Sequence, residues 1–155
     1  MDVTRIVIIL LHPLLALALL GWIIWQHRWS TRGLKLKGEE RANALNNHEV
    51  WGKRIFPAAI GVVLVAFAAD IWTGYTEDGD WLPHIYPSSV HGILGLFGLI
   101  LLTITWRMGN KVVTLRDSGE KWSLDKTKHG RAADLIVILA IIHAFIGFLY
   151  IFENL

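Results

Sequence analysis

Apolar residues fall along this chain in blocks separated by polar stretches, from about Val3 to Trp25, Ile55 to Thr73, Ile85 to Trp106 and Leu135 to Phe152. A helix needs about 20 apolar residues to cross roughly 30 Å of hydrocarbon, and each block has close to that length. In lipid only helices and closed barrels satisfy their own backbone polar groups, and these lengths suit helices. The pattern therefore predicts an all-α fold, a four-helix transmembrane bundle that occupies residues 1–155 as a single domain. The first block is too long for the core of a signal peptide and no small-residue cleavage site follows it, so it is read as a retained span.

The polar stretches are less uniform. Gly38 to Trp51 contains few helix breakers, which opens an earlier start near Asn46 for span two. A start near Thr127 is similarly open to span four. Val112-Val113-Thr114-Leu115, followed by Asp117-Ser118-Gly119, predicts a short extended piece and a turn. Pro13 and Pro57 lie inside spans and are expected to bend them, since each removes a helical hydrogen bond.

Charge orients the bundle. Gln26 to Arg54 and Arg107 to Ala133 carry nearly all the lysine and arginine, whereas Gly74 to His84 carries only Glu77, Asp78 and Asp80. The positive-inside rule puts both long loops in the cytoplasm and both termini on the outer side of an up-down bundle, in a plasma or thylakoid membrane. Trp22, Trp25, Trp29, Trp51 and Trp106 are expected at the inner interface, and Trp72, Tyr75, Trp81 and Tyr86 at the outer one.

Composition narrows the chemistry. The chain has 155 residues, 54% of them hydrophobic, and no cysteine. Disulfides, thiolate metal sites and iron–sulfur clusters are excluded, which leaves histidine as the strong transition-metal ligand. There is no Gly-rich phosphate loop, no nucleotide or flavin domain, and nothing that suggests a nucleic-acid partner.

Histidine inside lipid is costly and asks for a reason. His129 and His143 are fourteen positions apart, nearly four whole turns, so they share a helix face about 21 Å apart along the axis. Counted from Trp25 and Trp106, His12 and His91 lie about 20 Å and 22 Å above the inner interface. His48 and His129 lie at the inner feet of spans two and four. Odd spans are diagonal neighbours in an up-down bundle, as are even ones. His12 with His91, and His48 with His129, thus form two diagonal pairs at two depths, roughly 28 Å apart on straight upright helices. Two bis-histidine haems of b type need that arrangement. His143, nearer mid-membrane, is an alternative to His12 or His91 in the outer pair. Gly95, Gly98 and Gly147 supply flat space beside the ligands, and Lys53, Arg54 and Arg131 are candidate partners for haem propionates at the inner level. His27 reads as a surface residue and His84 as part of the outer loop. Asp70, about one turn inside the outer end of span two, is a candidate proton carrier.

The Leu11-His12-Pro13-Leu14-Leu15 opening, His48 before span two, His91-Gly-Ile-Leu-Gly-Leu in span three, and His129 ahead of Ile146-Gly147 resemble a small four-helix membrane family best known from cyanobacteria. That family is similar in layout to cytochrome b561 and ferric-reductase-like transmembrane proteins. The resemblance covers nearly the whole chain and implies haem b, two per chain, with electrons passed across the bilayer. Glutamine is the more usual residue of that pattern at the position of His143. Other classes compatible with the residues are a non-redox accessory subunit of a larger membrane complex, binding pigment or a lone metal, and a quinol or ferric reductase. Membrane lipid, a larger complex or quinone, and further copies of the chain are the expected partners.

Overall fold

The computed structural model describes residues 3–33 and 35–154. The described residues are helical apart from short connections, in the order α1 (Val3–His27), α2 (Trp29–Arg32), α3 (Gly38–Thr73), α4 (Val90–Asp117) and α5 (Ser123–Asn154). A π-helical turn, Gly74–Asp78, continues α3, and a 3-10 turn, Leu82–Ile85, precedes α4. α1, α3, α4 and α5 are the four helices long and apolar enough to cross a membrane.

Local chemistry explains the boundaries. Ser89 caps α4, its hydroxyl accepting the Gly92 N–H at 3.0 Å, which satisfies one of the unpaired donors of the first turn. α4 ends where the Glu120 N–H reaches the Leu115 carbonyl at 2.9 Å and Gly119 takes φ +75°, a left-handed conformation that glycine adopts without steric cost. The predicted turn at Asp117-Ser118-Gly119 is therefore present. The predicted extended piece is not, because Val112 to Leu115 continue α4. Helical packing overrides the weak strand preference of two valines. α3 and α5 begin at Gly38 and Ser123, earlier than the starts open to spans two and four in the sequence. Pro13 and Pro57 both lie inside unbroken helices.

α1 touches α3 and α5, and α4 touches the same two, so α1 stands opposite α4 and α3 opposite α5. The buried side chains are few: Ile55 and Ala59 on α3, Thr105 on α4, and Ala132 and Ile136 on α5. Around them the outer surfaces are apolar. Leu14, Leu17, Leu64, Phe97 and Phe145 are all at least 60% exposed. A soluble monomer rarely shows apolar patches on this scale, whereas a bundle surrounded by lipid requires them.

Ion pairs tie the polar helix ends. The Arg116 guanidinium pairs with Glu49 of α3 and, at 2.8 Å, with Asp117, while Lys111 of α4 lies 2.7 Å from Asp125 of α5. Pairs this close to solvent are screened, so they align the helix ends more than they hold them.

Candidate functional site: two levels of imidazoles

One spacing organises the interior. His12 and Gln26 on α1, His48 and Val62 on α3, His91 and Thr105 on α4, and His129 and His143 on α5 are each fourteen positions apart. Fourteen residues make about 3.9 turns and rise about 21 Å, so each helix presents both positions on nearly one face. The contacts sort these eight residues into two levels. His12, Val62, His91 and His143 meet at one; Gln26, His48, Thr105 and His129 meet at the other.

At the first level the His12 and His91 rings lie with centroids 6.0 Å apart and planes at 75°. The His12 ring donates from Nδ1 to the Val62 carbonyl at 3.4 Å. His143 lies flat on His91, with centroids 4.0 Å apart and planes 13° apart. The two stacked rings are seated reciprocally. A Cβ on Gly147 would fall 2.5 Å from the Cε1 of His91, and one on Gly95 would fall 3.1 Å from the Cε1 of His143. Each histidine thus rests over the glycine four residues beyond the other. Nδ1 of His143 is buried without a hydrogen-bond partner, and Nδ1 of His91 makes no well-formed bond, with only the His143 backbone within reach. An unpaired buried polar atom of this kind costs about 1–3 kcal/mol, which asks for a compensating role.

At the second level the His48 and His129 rings lie 6.4 Å apart, again with planes at 75°. The His129 ring donates from Nδ1 to the Thr105 carbonyl at 3.1 Å, and a Cβ on Gly109 would come within 3.1 Å of the ring. Nδ1 of His48 lies 2.9 Å from the Gln26 side-chain nitrogen, which also donates to the His48 carbonyl. Trp29 stacks on the other side of His48, with centroids 5.6 Å apart. Between the two levels lie Ile55, Ala59, Ala132 and Ile136, so the tightest packing separates them.

The two diagonal pairs expected from depth come together, and His143 joins the first of them as a third ring. The level spacing expected from the sequence is corrected from roughly 28 Å to about 21 Å along the axis. Trp25 and Trp106 were the markers for the inner boundary, and Trp106 is a poor one. It stacks on Phe56 at 5.1 Å with its indole N–H buried and unpartnered, as is that of Trp22. Lys53, Arg54 and Arg131 are exposed, and Arg54 lies over the Trp51 ring at 4.9 Å. His27 bonds Asp134 at 2.7 Å.

Asp70 and His84 meet at the C-terminal end of α3. Nδ1 of His84 lies 2.9 Å from Asp70, and its Nε2 lies 3.1 Å from Asp78 in the π turn. Gly74 is buried beneath this ring, where a Cβ would overlap it. The Asp70 carboxylate, and after it that of Asp78, raise the His84 pKa above its ordinary value. Beside it Arg5 of α1 pairs with Glu77 at 2.9 Å.

Gln26, Thr105 and Gly109 were not singled out by the sequence, and Trp29 was read only as an interfacial aromatic. The fourteen-residue offset, applied to His12 and His91 as it was to His129, reaches Gln26 and Thr105. The chain matches no family model, no curated protein and no solved structure.

Proposed function

We propose that this chain is a b-type cytochrome of the membrane, carrying electrons across the bilayer between two bis-histidine haems. The observation that carries the reading is a repeated one: at each level, two imidazoles from opposite helices stand about 6 Å apart with planes at 75°. Two imidazoles bound to opposite sides of one transition-metal ion, through bonds of about 2.0–2.1 Å, have centroids roughly 6.3 Å apart. Ordinary edge-to-face packing of two rings falls in the same range, so the support lies in the repetition, at two depths, of one imidazole pair drawn from opposite helices.

The surroundings fit such a group. The protein engages Nδ1 of His12, His48 and His129, which leaves Nε2 as the ligating nitrogen and fixes the ring orientation. Gly95, Gly109 and Gly147 let the rings lie close against the neighbouring helices. The donor set, with imidazole and no thiolate or clustered carboxylate, suits haem iron in a helical bundle. When bound, the haem supplies a one-electron ferric–ferrous couple. The chain holds the imidazoles in register, excludes water from the middle with Ile55, Ala59, Ala132 and Ile136, and offers Lys53, Arg54 and Arg131 to carboxylates at the inner end.

In this reading the helices alternate in direction, since His12 meets the second half of α3, the start of α4 and the second half of α5. The basic connections face the cytoplasm, both termini face outward, and lipid covers the exposed leucines and phenylalanines. A larger complex or a quinone would exchange electrons at the two ends.

A reduced-minus-oxidised spectrum of the purified full chain, with extracted haem measured per chain, tests this. Sharp b-type bands and about two haems per chain are expected. A colourless protein would end the redox reading, and a pigment spectrum would favour an accessory subunit of a larger complex, since pigment needs only one imidazole at each site.

A further inference from the structure

Five histidines reach the two levels, whereas two bis-histidine sites offer only four ligand places. The fifth ring is not surplus surface chemistry, because His143 is stacked inside the bundle on the face of His91. How the rings are held separates them into two groups. His12, His48 and His129 each have Nδ1 engaged by a named partner. His91 and His143 make no well-formed bond at Nδ1, the one backbone group within reach of His91 being that of His143 itself. The first three are therefore fixed through Nδ1, whereas the last two are placed by their mutual stacking and the glycines beneath them.

The two stacked rings are near equivalents. Their planes differ by 13° and their centroids by 4.0 Å. Each is seated over a glycine of the facing helix, four positions beyond the other histidine. The two rings stand parallel, one over the other, at the same level of the bundle. At 4.0 Å the pair is too close to hold one ion between them, for which roughly 6.3 Å is needed. They cannot be two ligands on opposite sides of one iron. They can be two claimants to one side.

We propose that His91 and His143 are interchangeable axial ligands of the outer haem, opposite His12, so that either alone completes the site. The inference rests on the two-haem reading and goes beyond it by assigning the outer site a duplicated ligand that the inner site lacks. At the inner level the place beside His48 is taken by Trp29, which cannot ligate, so that site has no reserve.

The test uses the purified full chain as the parent, with His91→Ala, His143→Ala, the His91→Ala/His143→Ala double variant and His129→Ala. Haem per chain and low-temperature electron paramagnetic resonance are the readouts. The parent must first carry two haems; if it carries none, the two-haem reading itself fails and the comparison ends there. Given two, each outer single variant is expected to keep both, with the outer haem still six-coordinate and low-spin, because the remaining ring stands parallel to the lost one, 4.0 Å away, and shifts into the space it leaves. The double variant is expected to drop to half the parent's haem, and the signal that remains, from the inner haem, reports that the chain is folded. His129→Ala alone is expected to lose the inner haem. Loss of the outer haem, or its conversion to a high-spin form, in either outer single variant would overturn the interchange, as would a double variant that keeps both haems.

Discussion

At the residue scale, the cost of burying imidazoles is offset by what holds them. His12 and His129 each donate to a backbone carbonyl on a neighbouring helix, at Val62 and Thr105. Thr105 is free to offer its carbonyl to the interior while its hydroxyl is turned back to Leu101 at 2.8 Å. His84, in the connection between α3 and α4, is held differently, between two carboxylates. Its charged form is favoured, so its pKa lies above the ordinary value of about 6.5. A histidine whose folded pKa is raised contributes stability that is fully present below its unfolded pKa and is lost as pH rises through the folded one. The link between α3 and α4 is therefore expected to loosen on the alkaline side of neutrality. Amide hydrogen exchange over residues 74–86 measures this: protection should fall as pH rises beyond the intrinsic increase in exchange rate, and Asp70→Asn should move the fall to lower pH. A pH-independent protection factor, identical in the variant, would show that the carboxylates do not hold the ring.

At the scale of elements, hydropathy alone marked the four spans, because each apolar block is set off by charged residues such as Lys53-Arg54 and Arg107. It did not mark where the helices end. α3 and α5 run on through Gly38 to Arg54 and Ser123 to Asp134, where ordinary helix formers and cross-helix pairs such as Glu49–Arg116 replace the apolar signal. The histidine pairs were legible from their depths. Their true spacing was not, because the partner positions on three helices are Gln26, Val62 and Thr105, residue types with no chemical flag. The role of His143 was ambiguous for a related reason: spacing places it on the face of His129 but does not show whose ring it touches.

The direction of the spans is tested at the same scale. The chain is free of cysteine, so a single introduced thiol is unambiguous. Lys35→Cys, in the basic connection, should react with a membrane-impermeant maleimide only after intact cells or right-side-out vesicles are opened. Asp80→Cys, between the π turn and the 3-10 turn, should react from outside without opening. The opposite pattern would invert the bundle in the membrane while leaving its interior unchanged.

At the scale of the whole molecule, the chain is two polar levels separated by an apolar plug. Each level draws one imidazole pair from opposite helices, and about 21 Å of helix joins one level to the other. A path for electrons needs both levels occupied and independently held. Haem content of His48→Ala beside that of His12→Ala tests this most directly. The account predicts that each variant keeps about half the parent's haem, that the haem retained differs spectrally between the two, and that combining the substitutions leaves none. Full haem content in either variant, or loss of the same component from both, would contradict it.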